Sequence, residues 1–174
     1  MTMQAKTAEL FGLDSEGWAR HANPWSVYTR IPIPVLLSAA VWTRTRIGWR
    51  SLVPVALVCV WTVVNPRAFP PPRSLDRWAS RAVLGETVWV ARKEVPVPPR
   101  HRVAPNVLAA VSTLGVPFIV RGLVVRDGWM VAFGLAVQMG GKLWLLDRMA
   151  LLYDDVAAAG PRLPAGRMHE GAGG

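Results

Sequence analysis

The sequence predicts an all-α integral membrane protein with four transmembrane helices and a basic amphipathic helix in the membrane interface. Three observations lead to this fold class. Hydrophobic residues make up 52% of the 174-residue chain, and they are concentrated in four stretches. The second stretch has no charged residue between Ser51 and Pro66. The nine tryptophans suit the aromatic belts that membrane proteins place at both lipid–water boundaries.

The chain is strongly basic, with a net charge of +9. Its basic residues fall between the apolar stretches, which favours contact with anionic lipid headgroups over contact with nucleic acid. We therefore expect the lipid bilayer and its anionic headgroups as partners, and no nucleic acid. Cys59 is the single cysteine of the chain, so an intramolecular disulfide is excluded.

Residues 1–29 are predicted to form a cytoplasmic N-terminal segment. Residues 1–20 are polar with scattered apolar positions, which is typical of a short amphipathic helix lying on a membrane. The Asn23-Pro24 pair that follows favours a turn, and Trp25 is suited to anchor the chain at the interface.

The first two spans are predicted at about 31–46 and 49–64, joined by a tight link in which Gly48 allows a turn. The first has only thirteen uncharged residues, Ile31–Thr43, which extend about 20 Å as a helix. A bilayer core is about 30 Å thick, so the flanking Arg30, Arg44 and Arg46 would have to snorkel to the surface. A helix in a soluble core is the alternative for this segment.

The loop from Asn65 to Ala104 is basic and contains the predicted interfacial helix, at about 74–92. Ser74 is a suitable N-cap, and apolar residues recur after it at helical spacing. Glu86 falls on the apolar side of this helix, where a carboxylate needs a partner.

Two further spans are predicted at about 105–125 and 128–150, which completes a four-helix membrane domain over residues 30–156. Small residues recur every four positions in the last span, a pattern that allows close helix packing: Ala132, Ala136 and Gly140. Lys142 follows, and a lysine near the interior of a membrane helix is often functional. Residues 157–174 are predicted to be a disordered tail.

Four spans place both termini and the long loop on one side of the membrane. That side carries most of the lysine and arginine residues, so the positive-inside rule assigns it to the cytoplasm. We expect a multi-pass protein of the cell membrane.

Three runs of the sequence carry a family resemblance: HANPWSVYTRIP, WTVVNPRAFPPPRSLDRWASRAVLGETVW and GKLWLLDRMALLYDD. Together they resemble a domain-of-unknown-function family of small polytopic membrane proteins from prokaryotes, marked by an Asn-Pro-Trp motif. The resemblance covers roughly residues 18–155. It implies an integral membrane protein, and it implies no activity, cofactor or catalytic residue.

Under the four-span arrangement, polar residues from separate segments gather at the cytoplasmic boundary. They form a candidate anion or lipid-headgroup site, in which arginine and lysine would bind the anion and His21 or an aspartate would act as acid or base. Its members are His21, Asn23, Trp25, Asn65, Arg67, Asp76, Arg77, Glu86, Lys142, Asp147, Arg148 and Asp154. The alternative is a structural network that docks the interfacial helix.

The histidines lack metal-ligand spacing, so neither a metal nor a cofactor is expected. The preferred function is a non-enzymatic accessory or interaction protein, with a membrane-protein partner or a second copy of the chain. The alternatives are a lipid-headgroup-binding or -modifying enzyme at the cytoplasmic face, and a small oligomeric transporter.

Overall fold

The computed structural model describes residues 15–93 and 95–159, and the regular structure within them is entirely helical. The prediction of an all-α protein is confirmed. The α-helices are α1 (Ser15–His21), α2 (Pro24–Arg30), α3 (Ile33–Trp42), α4 (Arg44–Ile47), α5 (Leu52–Ala68), α6 (Trp78–Val90), α7 (Ala104–Val125) and α8 (Gly128–Ala158). Short 3-10 helices cover Gly48–Ser51 and Pro99–His101.

Three helical segments of the described residues are long and apolar enough to cross a membrane: Pro24–Ala68, Pro99–Val125 and Gly128–Ala158. They make the chain compatible with a multi-pass membrane protein. Length and hydropathy thus give three candidate spans where the sequence predicts four. The difference arises because α2 to α5 follow one another almost without interruption and count as a single segment.

The first of these segments is a hairpin, because it reverses direction between α3 and α5. Gly48 lies at the reversal with φ of +57°, a conformation that costs little only for glycine. Ser26 near the start of the segment hydrogen-bonds Asn65 near its end, across 2.9 Å. The helices α2 and α3 therefore run antiparallel to α5.

Several boundaries in the structure differ from the predicted ones. The α5 helix continues through Pro66 to Ala68, beyond the predicted end at residue 64. The α6 helix begins at Trp78 and not near Ser74, and Arg77 is its N-cap without a side-chain bond. The Ser74 hydroxyl instead donates to the Asp76 carboxylate and accepts from the Asp76 amide in a local turn. Residues 157 and 158, assigned to the tail, belong to α8. The rest of the tail beyond Ala159, and the first fourteen residues of the predicted N-terminal helix, lie outside the described residues.

The helices α7 and α8 form an antiparallel pair whose backbones approach closely at glycines. A Cβ added to Gly115 would lie 2.5 Å from the carbonyl oxygen of Gly134. A Cβ added to Gly141 would lie 2.7 Å from the amide nitrogen of Ser112. Glycine is the residue that allows helix backbones to come this close.

The predicted small-residue stripe of α8 makes no helix contact within the described part of the chain. Ala132 and Ala136 are exposed, and no described atom lies within 4 Å of a Cβ added to Gly140. Small residues do mediate the contact, but on a neighbouring face with a seven-residue spacing, from Gly134 to Gly141.

The α6 helix packs against the C-terminal half of α8. The two backbones approach closely at Gly85, where an added Cβ would lie 1.8 Å from the carbonyl oxygen of Met149. Glu86 reaches Lys142, whereas Arg81 reaches Asp154, twelve residues or about 18 Å further along α8. Buried apolar residues fill both sides of this contact: Ala79, Ala82, Val83, Leu146 and Ala150 on one, Val88, Met149, Leu152 and Val156 on the other.

Candidate functional site

The hairpin of α2–α5 is held to the other helices at two separate places. At its tip, the guanidinium of Arg126 stacks over the ring of Trp42, 4.1 Å from the ring centroid, and also donates to the Trp42 carbonyl oxygen. Arg44 donates in turn to the carbonyl oxygen of Leu123. At the hairpin's base, Val27 is buried in a cluster with α6 and α8 residues. A cavity of about 280 Å³ lies along the hairpin towards this base.

This cavity, termed the α3–α8 pocket below, has apolar walls and a charged end. Its apolar lining includes Ile31, Ile33, Pro34, Met139, Leu143 and Leu146. Three charged residues line it, Arg30 from α2, Glu86 from α6 and Lys142 from α8. Four segments that are distant in the sequence therefore build one amphipathic pocket.

Lys142 and Glu86 form an ion pair at the pocket, with 2.8 Å between Nζ and Oε1. The pair supplies the partner that an acid on the apolar side of α6 requires. The side chains remain 48% and 24% exposed, so the ion pair is open at the pocket surface and an anion can approach Lys142.

His21 joins the charged end through Arg30, whose Nη1 lies 2.9 Å from His21 Nε2. Arginine only donates, so Nε2 accepts and the imidazole carries its proton on Nδ1. Burial lowers the pKa of His21 to about 4, with Arg30 and Lys142 lowering it and Glu86 opposing them. His21 is therefore neutral at pH 7, and the charged end carries two cations and one carboxylate.

Asn23 and Asn65 belong to a buried network that closes the hairpin's base. The Asn23 side chain accepts a hydrogen bond from the amide of Trp25, which caps α2, and donates to the carbonyl oxygen of Pro70 at 2.8 Å. Asn65 bonds Ser26, and its Nδ2 donates to Thr29 Oγ1 at 2.7 Å. These contacts give the asparagine of the Asn-Pro-Trp sequence a structural role.

Three further predicted residues lie at the contact between α6 and α8. Asp154 pairs with Arg81 at 2.9 Å, and Asp147 accepts a long bond of 3.4 Å from the indole of Trp78. Arg148 lies 3.8 Å from Asp147. Asp154 and Asp147 thus join the two helices, whereas the Arg148 contact lies within α8, and none of the three residues lines the pocket.

The other four predicted residues are exposed and apart from the pocket. Trp25 is 66% exposed and packs edge-on against Tyr28. Arg67 lies in the last turn of α5, and Asp76 and Arg77 precede α6. The structure thus brings His21, Glu86 and Lys142 together and leaves these four on the surface.

Sequence reasoning missed two features. Arg30 was assigned to snorkelling, although it is the link between His21 and the pocket. His101 is buried and contacts the carboxylate of Asp155, which also pairs with Arg100. The adjacent acids Asp154 and Asp155 could have indicated a second partner, because neighbouring residues of a helix point in different directions.

Among residues 15–93 and 95–159, no three or more histidine, cysteine or acidic side chains are grouped to hold a metal.

Fold and pocket together define an all-helical protein with three segments apolar enough to cross a membrane and an amphipathic pocket beside them. The chain belongs to a family of unknown function (DUF6653), whose family model matches residues 2–169. The assignment to a domain-of-unknown-function family is thereby confirmed. No curated protein and no solved structure matches the chain.

Proposed function

We propose that the protein is a non-enzymatic accessory protein of the cell membrane that binds an anionic lipid in the α3–α8 pocket. The observation that carries this proposal is the position of Arg30 and Lys142 at one end of a cavity with apolar walls. Cationic groups bind phosphate oxygens through charge-assisted hydrogen bonds, and apolar walls accept an acyl chain.

The proposed arrangement has four membrane crossings, with α6 in the interface. Its support is the hairpin, which gives the segment Pro24–Ala68 two antiparallel arms. The interfacial position of α6 is proposed from its sequence, in which apolar residues recur at helical spacing within a basic loop. The basic residues of the loop then face the cytoplasm together with both termini.

The proposed ligand is a lipid with an anionic headgroup and a chain that enters the pocket. At about 280 Å³ the cavity is slightly smaller than the range of about 300–1,000 Å³ for ligand sites, which favours a lipid with a single chain over one with two. Lys142 is exposed enough to reach a headgroup phosphate once its bond to Glu86 opens. Anionic lipids of the bilayer are therefore the partners proposed for this site.

The titratable groups at the pocket already have partners, which favours a binding function over a catalytic one. A general base needs a free acceptor within hydrogen-bond reach of its substrate. His21 Nε2 already accepts from Arg30, and Glu86 is bound to Lys142. A modifying enzyme at the same site is the competing function.

The test is a titration of the purified protein in maltoside micelles with two probes of equal chain length, dodecyl phosphate and dodecylphosphocholine. We expect the anionic probe to bind more tightly, and Lys142→Met to weaken its binding about tenfold or more, because hydrogen bonds to charged groups contribute about 1.5–3 kcal/mol. Lys93→Met, which removes an exposed lysine outside the pocket, is the matched control.

Equal affinity of the two probes, or equal effects of the two lysine substitutions, would contradict lipid binding at this pocket. The same samples can be incubated with anionic lipids and analysed by mass spectrometry. Conversion of a lipid that Lys142→Met abolishes would overturn the non-enzymatic assignment in favour of the competing enzyme.

A further inference from the structure

The α3–α8 pocket has a second polar layer beneath its charged end. Gln138 lies four residues, or about one helical turn, before Lys142 in α8, and both residues line the pocket. Thr62 lines it from α5, one turn before Asn65 at the hairpin's base. Both helices run towards the charged end, so the amide and the hydroxyl lie at a similar depth.

Gln138 is the less satisfied of these two groups. The Thr62 hydroxyl donates to the carbonyl oxygen of Val58 within its own helix. The side-chain oxygen of Gln138 is buried without a hydrogen-bond partner among the described residues. A buried amide without a partner is unfavourable, so rotation of the side chain towards a polar group in the pocket would stabilise it.

We infer that the pocket recognises the polar linkage of its lipid as well as the headgroup, and that Gln138 is the specificity-determining residue. This inference rests on the proposed function. The ligand class is a single-chain glycerophosphate, with phosphate at Arg30 and Lys142 and the glycerol at Gln138. The glycerol hydroxyl both donates and accepts, so it pairs with either end of the amide.

The spacing of the two layers supports this ligand class. One helical turn separates Gln138 from Lys142, about 6 Å along α8. The glycerol of a glycerophosphate directly adjoins its phosphate, whereas an alkyl phosphate has only methylene groups there. The Gln138 amide would face those methylene groups without a hydrogen-bond partner, which disfavours binding of an alkyl phosphate.

The experiment compares dodecyl phosphate with 1-dodecanoyl-glycerol-3-phosphate, which have the same phosphate group and a chain of the same length, on the full chain in maltoside micelles. We expect the glycerol-containing probe to bind about tenfold more tightly, as one additional buried hydrogen bond allows. Gln138→Met keeps the length of the side chain and removes its amide, and it should abolish this preference by weakening binding of the glycerol-containing probe and tightening binding of dodecyl phosphate. Met139→Leu, an apolar change in the same wall, should preserve the preference.

Equal affinity of wild-type protein for the two probes overturns the role of Gln138, and so does a preference that survives in Gln138→Met. Should Gln138→Met fail to fold, the wild-type comparison alone decides the ligand class. Lys142→Met distinguishes the two failures. If the role of Gln138 is overturned but Lys142→Met weakens binding of both probes, the proposed function stands and only the inference about the glycerol fails. If Lys142→Met weakens binding of neither probe, the proposed function itself fails.

Discussion

Ser26 Oγ donates a hydrogen bond of 2.9 Å to Asn65 Oδ1, joining residues 39 positions apart. Both residues are fully buried, and Asn65 passes the network on to Thr29 through its amide nitrogen. Hydrogen bonds between two arms of a hairpin fix their register, because either arm alone would leave the polar groups unsatisfied. The Ser26–Asn65 pair therefore holds the antiparallel arrangement of α2 and α5.

Replacing Asn65 with alanine should destabilise the protein by about 1–3 kcal/mol, because the substitution leaves the buried Ser26 hydroxyl without its acceptor. Unfolding in mixed micelles with increasing sodium dodecyl sulfate measures the loss. Asn106→Ala is the matched control, since the Asn106 side chain is exposed and makes a bond of 3.3 Å. Equal stability of the two variants would show that the buried pair does not hold the hairpin.

The proposed four crossings place Ser74, Thr45 and Ala158 on defined sides of the membrane. In a Cys59→Ala background, a single cysteine at Thr45 should react with an impermeant thiol reagent in whole cells. Cysteines at Ser74 and Ala158 should be protected until the cells are permeabilised. All three positions are exposed in the structure, so burial in the protein does not explain protection. Opposite behaviour of Ser74 and Ala158 would exclude an even number of crossings between them.

Local sequence patterns predicted well where the helices lie, but predicted poorly which faces of the helices pack together. Charge-free runs bounded by proline and glycine indicated where helices lie, because these signals act within a few residues. The face used by α8 was predicted from Ala132, Ala136 and Gly140, yet Gly134 and Gly141 make the contact. A prediction of which small-residue face of a helix makes the contact requires knowledge of the partner helix. Here the partner residue, Gly115 of α7, is distant in the sequence, so local patterns do not identify it.

For the candidate site, too, single residues could be predicted from the sequence but their pairing could not. The need of Glu86 for a partner followed from its position on an apolar helix face, and Lys142 stood out as a lysine in an apolar helix. Their pairing joins residues 56 positions apart and depends on how α6 packs against α8. Arg30 was not recognised, because an arginine at the end of an apolar run has the same local pattern whether it snorkels or binds a buried histidine.

Acid should destabilise the protein through His21. Its pKa is lowered from 6.5 to about 4 in the folded state, so the unfolded chain binds more protons between these values. Stability is therefore complete above about pH 6.5 and falls as the pH decreases towards 4, by up to about 3 kcal/mol. His21→Gln retains an acceptor for Arg30 and does not titrate, so it should reduce this pH dependence. Unfolding midpoints at pH 7.5 and 4.5 measure it, and parallel losses in both proteins would exclude His21 as the cause.

Adjacent glycines of α8 should respond in opposite ways to alanine. A Cβ at position 141 would lie 2.7 Å from the Ser112 amide nitrogen and 2.9 Å from its Cα. Both atoms belong to the α7 backbone, so Gly141→Ala must separate the helices and should cost about 1–3 kcal/mol. Gly140→Ala meets no described atom within 4 Å, and it should stabilise α8 by up to about 1 kcal/mol through helix propensity. Detergent unfolding of the two variants measures the contrast. Destabilisation by Gly140→Ala with a neutral Gly141→Ala would instead support the stripe of Ala132, Ala136 and Gly140 as the contact face of α8.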